Sequence, residues 1–271
     1  MGRNLAWVVL SWPLLAPPCI AQEPSGLPLS GEAAERFLRT ADVVGRRALG
    51  RGITHSEQYE LSDGTRRLKA VWKTVDVFRR GVTRFQDGRF FVDFADSWRH
   101  EVAAYELDKL LGLQLVPPTV ERSFGRTTGS LQMWVEGAMT EADRKRAKAE
   151  PPDPRAWNAQ VHKVRLLHQL TFNTDSHNVR NLLVDRAFRL YVIDASRAFA
   201  VYGELPSEKE LTRFSRSVLE ALKTLDRPTL DARLGRWLDG PQIAAVLVRR
   251  DKILARAKLL LEERGEGAVL Y

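Results

Sequence analysis

The chain has 271 residues, 44% of them hydrophobic and 28% charged, and its 42 Lys and Arg against 34 Asp and Glu leave a net charge of +8. These proportions exclude a disordered or collagen-like chain, and the length is enough for one large or two-lobed domain with a sizeable core. The basic residues are scattered and most clusters also hold Glu or Asp, so the charge reads as solvated surface rather than as a nucleic-acid face.

Arg3, the apolar run from Leu5 to Ala16, Pro17-Pro18 and a small residue at Ala21 have the pattern of a cleavable signal peptide, residues 1–21. The run is too short and too Pro-interrupted to span a bilayer. Cys19 is the only cysteine, so cutting near Ala21 leaves a mature chain without one. That fits a secreted or periplasmic bacterial protein, where disulfides are permitted but not required.

Residues 22–31 are rich in Pro, Gly and Ser and read as a flexible lead-in. Ala34, Phe37, Leu38, Ala41 and Val44 recur at helical spacing, predicting a helix over 32–47, which Gly50 and Gly52 end. Short strand patterns follow. Tyr59-Glu60-Leu61, a Ser62-Asp63-Gly64 turn and the run Leu68 to Lys73 make a hairpin signature. Trp98 to Leu111 reads as a helix stopped by Gly112, and Leu131 to Val135 as a buried strand. The charge-rich stretch Thr140 to Asp153 begins a second half. There Ala156 to Phe172, Ser207 to Leu225 and the segment after Pro241 read as helices. A short strand pair, Leu182 to Val184 and Leu190 to Ile193, interrupts them. The expected architecture is α+β, a two-lobed fold with a strand-rich lobe over 32–136, a helical lobe over 137–271 and a cleft between them.

The segment from Phe172 to Val184 carries Asn173, Asp175, His177, Asn178 and Asn181 on a loop, and the next apolar strand ends in Asp194. Phosphoryl transfer needs such a set: one carboxylate to orient or deprotonate a hydroxyl, and an amide oxygen with a second carboxylate to hold Mg²⁺. It also needs a cation on the phosphates and an acid to hold that cation. Lys73 and Glu101 supply this pair, with Lys69 and Glu106 as rivals that spacing does not eliminate.

In this order the motifs resemble the atypical kinase-like proteins: phosphatidylinositol kinases, HipA-type kinases and secreted casein kinases. The matching segments are Leu61 to Thr65 before Ala70-Val71-Trp72-Lys73, Glu101 to Leu113 with Val116 to Thr119, and Gln132 to Gly137. The Asp175-Ser176-His177 loop and Ile193 to Phe199 complete them, so that the similarity runs from about Phe37 to Leu270. The resemblance implies a two-lobed protein-kinase-like fold, with ATP and Mg²⁺ or Mn²⁺ as cofactors. It implies Lys73 on the phosphates, paired with Glu101, and Met133, Trp134 and Val135 as a hinge beside the adenine. It further implies Asp175 as catalytic acid/base, Asn181 and Asp194 as metal ligands, and His177 as support for the loop. The implied activity is transfer of the ATP γ-phosphoryl group to a hydroxyl of a protein, lipid or small molecule. The alternative is a catalytically weak pseudokinase acting as an envelope binding module.

Two departures stand out. The family's metal-binding position falls on Arg180, one residue before Asn181, and no Gly-rich loop is evident beyond the candidates Gly50, Gly52 and Gly64. Other chemistries lack their residues: no Cys/His cluster, no Gly-x-Ser-x-Gly elbow and no Walker-type loop occur.

Overall fold

The computed structural model describes residues 25–50, 56–84, 88 and 90–271, so the expected signal peptide, Cys19 and Gly52 lie outside the described residues. In chain order the first elements are α1 (Gly31–Thr40), β1 (Asp42–Ala48), β2 (Glu57–Ser62), β3 (Arg67–Lys73), β4 (Asp76–Arg84), β5 (Phe90–Ser97) and α2 (Trp98–Leu111). After them come β6 (Thr119–Phe124), β7 (Thr127–Met133), β8 (Met139–Thr140), α3 (Glu141–Arg146), α4 (Pro154–Thr171), β9 (Leu182–Val184) and β10 (Leu190–Val192). The chain closes with α5 (Arg216–Thr224), α6 (Arg227–Leu234), α7 (Gly240–Arg264) and α8 (Glu266–Val269). Among the described residues no helix is long and apolar enough to cross a membrane.

Five antiparallel strands in the order β1-β2-β3-β7-β6 form the N-terminal sheet, and α1 packs against β6 and β7. Ala34, Phe37 and Leu38 of α1 share one helix face and meet Tyr59, Leu61, Ala70, Trp72, Val120, Leu131 and Met133 in a first core. The expected long first helix stops at Thr40. Ala41 takes an extended conformation, Val43 pairs with Leu61 of β2, and Val44 falls at a bulge before Gly45, where it is exposed rather than on a helix face. The Pro/Gly-rich lead-in is tied down where it is described. Gly26 exchanges backbone hydrogen bonds with Glu136 at 2.8 and 2.9 Å, and Ser25 Oγ accepts from the Arg186 amide.

The second core joins the helices α4, α5, α6 and α7 with β9 and β10, and it includes Ala103, Ala104, Tyr105, Leu107 and Leu111 of α2. Helix α2 thus packs against β6 and β7 on one side and α5 and α6 on the other, bridging both halves. Ser97 caps its first turn, and Gly112 ends it at φ 62, a left-handed conformation that costs a Cβ-free residue little. The predicted helix over Ser207 to Leu225 is half as long as expected. Residues 208–210 form a single 3₁₀ turn, and α5 begins only at Arg216. Phe214 is held instead by backbone bonds to Val269 and Tyr271.

Candidate active site

Register decides which end of the hairpins faces the cleft. Ala48 pairs with Glu57 and Glu57 with Trp72, so the end of β1 and the start of β2 lie toward Lys73, whereas the turn carrying Gly64 is at the opposite end of β2. Leu49 and Ser56 border the cleft and Gly64 does not. Lys69 and Lys73 share a strand face but not a role. Lys69 is exposed and pairs with Glu136 at 3.1 Å, while Lys73 is buried.

Lys73 Nζ lies 2.5 Å from Glu101 Oε1 and 2.8 Å from Asp194 Oδ1. Glu101 Oε2 accepts the Ala195 amide at 3.1 Å, so one carboxylate holds both the lysine and the segment after Asp194. Glu106, the rival acid, points elsewhere, to Lys109 and to Arg233 of α6. Burial opposes the charge on Lys73, but the two facing carboxylates outweigh it and push its pKa up. Burial raises the Glu101 carboxyl despite Lys73. Asp194, against the opposition of its own burial, is held down by the Lys73 charge and hydrogen bond. Asp194 sits at φ 60, a left-handed backbone conformation that a non-glycine residue keeps only where its surroundings enforce it.

Those surroundings are a set of bonds between the start of α2 and residues 195–197. The Ser97 amide and His100 Nδ1 both donate to the Ser196 carbonyl at 2.9 and 2.8 Å, and Arg197 Nε pairs with Asp96 at 3.0 Å. With Nδ1 donating, His100 Nε2 accepts from Gln242 Nε2 at 3.0 Å, and Gln242 also closes the capping box of α7 with Asp239. None of His100, Ser196 and Gln242 was foreseeable from sequence, because their contacts span about a hundred residues or more of chain. Only the Ser97 cap carried a local signal.

The loop after α4 is ordered by its amides. Asn173, buried, accepts the Asp175 amide at 2.9 Å, and Asp175 Oδ2 accepts from Asn178 Nδ2 at 3.1 Å and Asn181 Nδ2 at 2.9 Å. A 3₁₀ turn over Val179–Asn181 ends this loop: Asn181 lines the cleft and Arg180 is exposed to solvent. His177 is exposed and makes no hydrogen bond among the described residues; Asn173 orders the loop instead.

A cavity of about 290 Å³ opens here, lined by Val71, Lys73, Met133, Trp134, Val135, Asn181, Leu183, Ile193 and Asp194 among others. Met133 and Trp134 donate their amides to Pro118 and Lys69, and Glu136 bridges to Gly26; the Val135 amide between them is used by none of these bonds. Glu101 and Asp175 stand just behind the lining, each bonded to a residue that belongs to it. Because Asn181 Nδ2 is committed to Asp175 and Asp194 Oδ1 to Lys73, Asn181 Oδ1 and Asp194 Oδ2 are left as oxygen donors on the same cavity. Hard oxygen donors of this kind fit Mg²⁺ or Mn²⁺.

By sequence, no family model matches this chain and no curated protein does. By structure, it is similar to hydra Fam20 with sugar, at a TM-score of 0.65 and 13% identity over 90% of this chain and 93% of that one. It is also similar to the Golgi casein kinase with Mn and ADP bound, at 0.62 and 16% identity over 88% of this chain and 78% of that one. The Helicobacter pylori proinflammatory kinase CtkA matches at 0.50 and 10% identity over 85% and 98%. The fold of this chain is that of the atypical kinases, an α+β two-lobed architecture with a strand-rich and a mainly helical half.

Proposed function

We propose that this protein is a secreted or periplasmic phosphotransferase that moves the γ-phosphoryl group of ATP to a hydroxyl of a protein, lipid or small molecule. The observation that carries the proposal is the buried Lys73 between Glu101 and Asp194, at the edge of a cavity walled by Met133, Trp134 and Val135. The export half of the proposal rests on residues 1–21 of the sequence.

Lys73 offers its charge to the phosphates, and Glu101, tied to Ala195, fixes where that charge stands. Met133 to Val135 and Val71 flank the adenine, with the Val135 amide available to it. Asp194 and Asn181 would hold the divalent cation, which when bound neutralises charge on the phosphate oxygens. Asp175, oriented by Asn178 and Asn181, takes the proton of the acceptor hydroxyl. The acceptor oxygen bonds to the γ-phosphorus as the bond to the β-bridging oxygen breaks, and ADP leaves.

Thermal unfolding of the mature chain with ATP, with and without Mg²⁺, tests the nucleotide site. Saturation at about 100 times the dissociation constant should stabilise by roughly 2.7 kcal/mol, a rise of several degrees. The rise should require Mg²⁺ and disappear in Asp194→Asn, which keeps the side-chain volume. No rise in the wild type would overturn the proposal. Asp175→Asn should keep the thermal rise while transfer of label from γ-labelled ATP falls about 10²- to 10⁴-fold.

A second reading, a binding module with little turnover, has one observation in its favour: Lys73 already engages the carboxylate that the metal would need. A Mg²⁺-dependent rise with no transfer by the wild type would select it.

A further inference from the structure

Exposed apolar side chains are concentrated on one feature outside the cleft. Among the described residues the β4–β5 ribbon pairs with no other strand, and it presents Phe78, Val82, Phe90 and Val92 at 59%, 63%, 65% and 41% exposure. Interleaved with them are Arg79, Arg80 and Arg84, all exposed and none in an ion pair among the described residues. Of the described acids of the ribbon, two are paired with arginines outside it. Asp76 binds Ser97 and Arg99, Asp93 accepts the Gly81 amide, and Asp96 pairs with Arg197. What the ribbon offers outward is apolar surface with a net positive charge, three arginines against the single carboxylate of Asp93 among the described residues.

The ribbon is fastened at its base, where the Trp98 amide binds the Val75 carbonyl. At mid-length the Tyr202 hydroxyl donates to the Val92 carbonyl and accepts the Val92 amide at 2.8 and 2.6 Å. Its shape is therefore fixed while its outer face stays open.

We propose that the β4–β5 ribbon docks the protein on an anionic lipid bilayer. Phenylalanine and valine side chains gain by leaving water at the headgroup boundary, and arginines beside them gain from the negative surface potential. A second copy of the chain is disfavoured by charge, since ribbon against ribbon would set Arg79, Arg80 and Arg84 against their own copies with only Asp93 to offset them among the described residues.

The test is co-sedimentation of the full mature chain with phosphatidylcholine vesicles, with and without phosphatidylglycerol, at low and at physiological salt. Binding is expected only with phosphatidylglycerol, weakening with salt and falling about fivefold for each of R79Q, R80Q and R84Q at low salt. F78S combined with V82S and F90S should weaken binding without altering its salt dependence. All of these side chains are exposed, so thermal midpoints should match wild type and a loss of binding should not reflect unfolding. Failure to bind phosphatidylglycerol vesicles, equal binding to phosphatidylcholine alone, or unchanged binding by the variants would each overturn the proposal. So would capture of polyglutamate by the same residues without vesicle binding, which would mark the ribbon as a site for an acidic polypeptide.

Discussion

His100 and His168 show how burial sets the charge of single residues beside the cleft. Burial lowers the pKa of both; for His168 it drops to about 4, with the charge of His177 adding to the effect. His100 is further committed to its neutral form by geometry, since its Nε2 must accept from Gln242, whose own oxygen is held by the Asp239 amide. A folded-state pKa below the unfolded value near 6.5 means that the unfolded chain binds more protons as pH falls. Stability should therefore be lost from about pH 6.5 down toward pH 4. Thermal midpoints measured across that range should decline toward acid, and His168→Gln should flatten the decline. Asp108, pushed up to about 6 by burial, works in the opposite direction over the same range, so the comparison with His168→Gln is decisive: an unchanged profile in that variant would show that the His168 imidazole does not carry the effect.

Elements place Lys73 through close backbone contact. A Cβ on Gly129 of β7 would stand 2.3 Å from the Lys73 carbonyl and 2.9 Å from the Trp72 ring, so only glycine lets β7 lie this near the end of β3. Gly129→Ala should destabilise by about 1–3 kcal/mol and weaken the nucleotide-dependent thermal rise, because the strand must move where the lysine begins. Arg249 serves α4 similarly. Fully buried in α7, it donates to the carbonyls of Leu170, Ala200 and Tyr202 and lies over the Phe172 ring. Arg249→Ala would leave three carbonyls without their donor and should cost about 3 kcal/mol, read as a lowered denaturation midpoint in urea.

Across the whole molecule the two halves are joined on the side of α2 and β6. Glu121 of β6 accepts two bonds from Arg236 at 2.8 and 2.7 Å and one from the Trp237 indole at 2.7 Å, while Arg233 reaches Glu106 of α2. These bonds connect the sheet and α2 to α6 and the turn after it. A bidentate arginine with a third donor is worth more than an isolated surface pair. Glu121→Ala should lower stability by about 1–2 kcal/mol, or a few degrees in Tm, and leave a Mg²⁺-ATP rise intact. A lost rise would mean that this tie also sets the width of the cleft.

Much of this molecule was legible in its residues because the relevant signals are local. Helix α2 has Gly112 after it; the β2–β3 hairpin has its Asp-Gly turn; and Asp175 and Asn181 share one loop, where spacing alone keeps them close. Where local signals competed, the reading strayed. Helical spacing ran past Thr40 because Ala41 and Val44 fit its period, while pairing with β2 decided the matter. Only the tertiary structure chose Lys73 over Lys69 and Glu101 over Glu106, since each rival shares its partner's residue type and an acceptable position on its element. Burial under α2 settled the choice, and burial is a property of what the rest of the chain brings alongside. The same holds for His100, Ser196 and Gln242, and for the open face of the β4–β5 ribbon. A sequence states which groups are available; which of them lose water, and against what partner, is fixed when distant segments pack.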